Sequence, residues 1–375
     1  MRLIAFVWKF LIGTLLCLTP FTAVLVLGWT GRAMQRSALR TWYRQSEHAG
    51  SSSFAETMSA SDETSQFAKW PNWIVSQRFR LDLSSAFSKG MPLTHRIGRL
   101  FFAFFGSLWT NLTLGLQLII NCWVITLPAC ALWLLGWWAG WENSFSKGYE
   151  QAWVGPTVAL IGVAVFIAAM IHLPLAQARQ AVTGQWRSFY DFSLSHRLRQ
   201  LGRFSTLLLV ILYLAAGTLV TGAKIAPLGI GNFVQGLEQP LSTENLQLLR
   251  FGWELAVASL VFMLFVGLHL IAARHYAQRL SAGVADGHVM PETLRPAEHG
   301  YLERFGLAKP GNRMERGLIM RSIAWSGGSV GAMLLLFAVI AGWGAFSFQL
   351  FFGQFLNHNW IGWLNLALVQ LPWLP

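Results

Sequence analysis

Long apolar runs, separated by basic and aromatic-rich stretches, set the pattern of this chain. Residues 100–141 contain no Lys, Arg, Asp or Glu, and neither do residues 322–375. A hydrocarbon core about 30 Å thick takes roughly 20 apolar residues to cross as a helix. The pattern predicts six crossings, at about 3–28, 112–138, 153–175, 204–223, 255–273 and 324–348. Trp29, Trp137, Trp138, Trp141, Trp153, Trp253 and Trp325 stand at their ends, where amphipathic rings meet the headgroups. The expected fold class is all-α, a polytopic transmembrane helical bundle.

Two stretches strain this pattern. Lys9 and Pro20 fall inside the first span, which predicts a tilted, kinked or partly interfacial segment. Beyond residue 348 the tail stays apolar and carries Trp360, Trp363 and Trp373; it reads equally as an outer interfacial helix or a seventh crossing. The run Phe10–Gly28 is longer than a usual signal region, so it reads as a span that is kept rather than cleaved.

The segments between spans suggest a repeat. Spans one, three and five end in Gly31-Arg32-Ala33, Ala178-Arg179-Gln180 and Ala273-Arg274-His275. Each leads into a basic, aromatic-bearing stretch, so the spans are expected as three helix–elbow–helix hairpins with amphipathic interfacial elbows. Arg32, Arg36, Arg40 and Arg44 recur every four residues and share a helical row. Trp186, Tyr190, Leu194 and Leu198 form an apolar row beside Arg187, Asp191, Ser195 and Arg199. The domain reading is a hairpin unit over 1–280, a charged loop over 281–322, and a last span with a Trp-rich tail over 323–375. The Ser-rich stretch 45–66 reads as a flexible insert. Gly136/Gly140 and Gly327/Gly331 have the spacing of close helix contacts.

Composition sharpens the picture. Of 375 residues, 54% are hydrophobic and 12% charged, against about 25% charged in soluble domains. The net charge of +12 would suit nucleic acid, but its distribution points to a membrane instead. The stretches 29–111, 176–203 and 274–323 hold 23 of the 28 Lys and Arg residues and 11 of the 16 acidic ones. By the positive-inside rule these three stretches are expected in the cytoplasm and the N-terminus outside, in a bacterial inner membrane. Cys17, Cys122 and Cys130 all lie in apolar segments, where a disulfide framework or zinc site is not expected.

Some of the motifs resemble the bacterial and archaeal membrane family called domain of unknown function 4013. The matching pieces are Leu11-Ile12-Gly13 through Pro20 to Gly28 and Arg32, then Trp70-Pro71-Asn72-Trp73. The clearest runs from His172-Leu173-Pro174-Leu175 through Ala176-Gln177-Ala178-Arg179 to Gly184 and Phe189-Tyr190-Asp191-Phe192. The likeness covers roughly residues 3–280, and Asn72 stands where the family pattern leads us to expect an acid. The resemblance implies a shared helical membrane fold and no particular activity.

Candidate chemistry is sparse. His172 and His269 lie near the ends of spans three and five; together they could ligate a b-type haem, but carbonyl capping or an interfacial role is the plainer reading. Gln117 and Asn121 share a helix face, with Asn111 earlier, and bonding between helices is the commoner use of such a stripe. Asp191 with His196, beside Arg197 and Arg199, is the pair best placed for lipid-phosphate chemistry, against an ordinary solvated face. The signatures of phosphate loops, metal-binding HExxH and nucleophile turns are missing from the sequence. No metal or cofactor is expected. Arg32, Arg36, Arg40, Arg179, Arg187, Arg199 and Arg274 are the expected contacts to anionic lipid headgroups. Further partners would be other membrane proteins or a second copy of the chain. Three functions remain open: a non-enzymatic membrane component, a permease for a neutral or anionic solute, or an enzyme acting on lipid phosphate.

Overall fold

The computed structural model describes residues 2–50, 53–59, 73–75, 77–86, 92–139, 153–233, 243–308, 330–347 and 370–373. The helices are α1 (Arg2–Leu16), α2 (Pro20–Gln45), α3 (Phe54–Ser59), α4 (Gln77–Ala86) and α5 (Leu93–Trp137). They continue as α6 (Val154–Thr183), α7 (Phe192–Leu201), α8 (Arg203–Phe233), α9 (Thr243–Ala285) and α10 (Pro296–Arg304). Val330–Ser347 forms α11. No strand occurs among the described residues. The helices α5, α6, α8, α9 and α11 are each long and apolar enough to cross a membrane. The chain is thus an all-α, multi-pass membrane protein.

The first predicted span is not one helix. Thr19 has extended backbone and caps α2, its Oγ1 accepting from the Thr22 N–H at 3.4 Å, and Pro20 opens that helix. Proline has no N–H and a fixed φ, so it suits a first turn and breaks a helix interior. The 15 residues of α1 extend about 22 Å at 1.5 Å per residue, short of a full crossing.

Of the three elbows, one is a separate element. α2 runs unbroken past Arg32 to Gln45, and α9 past Arg274 to Ala285. No Gly or Pro follows either arginine closely enough to stop its helix, so the first and third elbows are extensions of their spans. In the second, Gly184 takes φ 67 and ends α6. A 3-10 turn over Trp186–Tyr190 follows, and Asp191 then caps α7. Trp186 and Leu198 therefore do not share the single helical row that the sequence suggested.

Packing divides the interior in two. The larger core joins Leu118, Cys122, Trp133, Phe166, Met170, Tyr213, Phe265 and Trp343. α5 and α6 run antiparallel through it, since a Cβ on Gly136 would meet Gly155 O and Asn121 bonds Gln180. At the α2–α5 crossing backbones touch: a Cβ on Gly28 would lie 1.8 Å from Asn111 O, and one on Gly115 2.2 Å from Val24 O. Only glycine permits that approach. The second core fills the space between the extended ends of α2, α6 and α9, with α7 and α10 closing it. Met34, Leu39, Trp42, Ala178, Leu198, Tyr276, Leu302 and Phe305 are buried there. α2 and α9 run parallel, their contacts advancing from Ser37–Arg274 to Trp42–Ala277 and Gln45–Ser281.

The segment expected as a charged loop, 281–322, is partly built into this second core. α9 reaches Ala285, Gly287 turns at φ 71, and Leu294 and Tyr301 are buried; residues 309–329 lie outside the described residues. Within the expected flexible insert 45–66, Phe54–Ser59 is helical, Phe54 meets the Tyr43 ring at 5.5 Å, and Met58 is buried. Residues 60–66 lie outside the described residues, as do Trp70–Asn72, Gly140, Trp141, Trp325, Gly327, Trp360 and Trp363. From the tail, Gln370 Nε2 donates to Thr126 Oγ1 at 2.9 Å.

Candidate functional site

The second core encloses a cluster of paired charges. Arg179, the one arginine of α6, is 1% exposed. Its Nε donates to Glu298 Oε1 at 2.8 Å and its Nη2 to Glu298 Oε2 at 3.1 Å. Nη1 forms a 2.6 Å ion pair with Asp191 Oδ2. A planar guanidinium suits this paired geometry, and the two bonds fix direction as well as distance.

The chain brings these groups together by helix ends. Glu298 occupies the third position of α10, where its Oε2 accepts from the Arg295 N–H at 3.0 Å. Negative charge at a helix start is favourable on its own account. Tyr276, on α9, donates its hydroxyl to Glu298 Oε1. Both Glu298 oxygens therefore accept from two donors. Asp191 spends Oδ1 on the Leu194 N–H at 3.2 Å, capping α7. Burial would raise the Asp191 carboxyl, but Arg179, the Leu194 N–H and Arg295 outweigh it and hold the group below its ordinary range.

Both Glu298 oxygens are thus engaged, while the Asp191 side chain stays 30% exposed. Removing one partner of such a buried pair costs about 3–5 kcal/mol, while the intact pair adds little beyond an apolar equivalent. Its physical contribution is specificity, since only one placement of α10 satisfies the Glu298 carboxylate.

The expected lipid contacts separate into two sets. Arg179 and Arg32 turn inward, which corrects their assignment to headgroups. Arg32 is 5% exposed and its Nη2 donates to Ile74 O at 3.4 Å. Arg40, Arg187 and Arg274 are exposed, and Arg36 and Arg199 half-buried. Arg40 lies over the Phe54 ring and Arg187 over that of Trp186. Both histidines are buried, each with one ring nitrogen at a backbone carbonyl. His172 Nε2 lies 3.1 Å from Phe189 O, and His269 Nδ1 lies 2.8 Å from Phe265 O. The Asp191–His196 pair does not assemble. Asp191 belongs to Arg179, while the exposed His196 bonds Gln200 at 2.8 Å.

Of the polar stripe on α5, Asn121 ties helices together. Its Nδ2 donates to Gln180 Oε1 at 2.9 Å and Trp186 O at 3.1 Å, and its Oδ1 accepts from the Tyr190 hydroxyl at 2.8 Å. Asn111 donates to Ile74 O at 2.5 Å, and Gln117 is exposed. Sequence reasoning missed Glu298 and Tyr276. The signal was there in part: Pro296 with Glu298 two positions later marks a helix start. What it does not carry is that this short helix reaches back to Arg179. No group of three or more His, Cys, Asp or Glu placed to hold a metal occurs among the described residues. Comparison of the chain with protein-family models, with curated proteins and with solved structures finds no match.

Proposed function

We propose that this chain is a non-catalytic integral component of a bacterial inner membrane, an assembly factor, scaffold or accessory subunit. Its kinship with the domain of unknown function 4013 is part of the same proposal. One observation carries the reading. The buried Arg179 and Glu298 are engaged with each other, and Arg179 also with the part-exposed Asp191, so that they form a lock rather than a reactive centre. Catalytic carboxylates keep a face open to substrate and Glu298 does not. In this reading the N-terminus faces outward and the extended ends of α2, α6 and α9 face the cytoplasm, as the skew of 23 basic residues to one side favours. Arg36, Arg40, Arg187, Arg199 and Arg274 then meet anionic headgroups. The working surface is the helical bundle itself, presented to another membrane protein or a second copy.

Purification from native membranes in mild detergent tests the proposal. The expected result is a second polypeptide, or a second copy, in fixed ratio to this chain. A lone chain that, once reconstituted, moves a solute or turns over a phospholipid would overturn it.

A further inference from the structure

The long helix α5 carries two different surface patterns. Its 45 residues extend about 68 Å at 1.5 Å per residue, more than twice a hydrocarbon core. Fitting all of it inside that core would need a tilt of about 60°, beyond the usual range of about 0–40°. Among the described residues the larger core takes hold of α5 from Ser107 and Asn111 onward, where Ser107 Oγ and Asn111 Nδ2 both donate to Ile74 O. From there Trp137 is 26 residues away, which is enough to cross.

Before that anchor the helix is two-faced. At about 100° per residue, Ile97, Phe101, Phe104, Phe105, Leu108 and Trp109 fall on one arc. Arg96, Arg99, Ala103, Gly106 and Thr110 fall on the opposite one. The apolar row is uncovered: Ile97, Phe101, Phe105 and Trp109 are 59%, 55%, 49% and 66% exposed. α4 packs alongside, through Phe79 against Phe104 and the 3.1 Å pair of Asp82 with Arg99. Residues 77–99 hold five basic residues against one acidic. A wide apolar face rich in Phe and Trp, with cations on the opposite face, is the pattern of a helix lying in a membrane interface.

We propose that α5 bends at the Gly106-Ser107 pair, the kind of step at which helices kink, and that Leu93–Trp109, with α4 strapped to it, is an arm that lies in the plane of the headgroups on the basic side of the membrane and docks on anionic lipid. The arm does not cross. Its aromatic face enters the acyl boundary, while Arg96 and Arg99 meet phosphate. Each such cation contributes about 1 kcal/mol near an anionic surface.

The test places single spin-labelled cysteines at Ile97, Phe101, Phe105 and Trp109 in protein lacking Cys17, Cys122 and Cys130. Leu160 on α6, 68% exposed, serves as a reference for correct insertion. Depth is read from oxygen and nickel-complex accessibility in vesicles of phosphatidylcholine with or without phosphatidylglycerol. All four labels should lie at one shallow depth, and Arg96→Gln with Arg99→Gln should free them in the phosphatidylglycerol vesicles. A depth rising steadily, by about 4–6 Å at each step of four residues, would make α5 one continuous crossing and overturn the proposal. So would labels fully in water, or dipolar broadening from a second copy seated on the aromatic face.

Discussion

The core at membrane level and the core at the extended helix ends are held by different means. In the first, helices approach to backbone contact at Gly28 and Gly115, and neutral amides such as Asn121 bridge neighbours. In the second, α10 is held by charge, through Glu298 on Arg179 and Tyr276. The difference teaches where each device works. Apolar surface drives little association between helices already in lipid, so close contact and hydrogen bonds do the joining there. At the helix ends, water competes for α10, and a carboxylate with four donors specifies one placement.

The sharpest way to break that contrast is at Arg179. Arg179→Ala leaves the Glu298 carboxylate buried without its counter-charge, and should lower stability by about 3–5 kcal/mol in detergent unfolding. Gly28→Val tests the other region. Its side chain would start 1.8 Å from Asn111 O, so α2 and α5 must part, at a cost of about 1–3 kcal/mol or more. An unchanged unfolding midpoint would remove the close crossing from the account.

Smaller effects sharpen the contrast further. Asn121→Leu removes bonds to Gln180, Trp186 and Tyr190, and should cost about 0.6–1.7 kcal/mol, the range of hydrogen bonds between membrane helices. Asp191 has a 30% exposed side chain, so Asp191→Asn should cost less than about 1 kcal/mol at neutral pH. Its pH signature is more telling. The folded carboxyl is held below its ordinary value, so its stabilisation is complete above the unfolded pKa of about 3.9 and is lost as pH falls through the folded one. The wild type should therefore lose stability more steeply than Asp191→Asn below about pH 4. Parallel acid titrations would show that Asp191 is not coupled to Arg179.

Much of the fold could be read from residue patterns, because charge-free runs near 20 residues have few uses outside lipid. The break at Pro20 was signalled by proline itself. The elbows were less legible. Arg32, Arg179 and Arg274 stand in like surroundings in sequence, yet what separates them is Gly184, which stops α6 while α2 and α9 run on. The basic row on α2 suggested a surface, and for Arg40 it is one; Arg32, on the same row, is buried against Ile74 O. Four-residue spacing places side chains on a face without saying what covers it. Glu298 lies 119 residues from Arg179, and no local pattern links the two.

A double-mutant cycle on Arg179 and Glu298, with Met and Leu as apolar replacements, tests the central claim most directly. If the pair is a lock, each single substitution is severe. The double variant should then regain much of the loss, with a coupling of about 2–3 kcal/mol and native membrane insertion. Additive losses, or a double variant as folded as the wild type whose partner protein is nevertheless released, would contradict it and assign these charges a task beyond holding α10 in place.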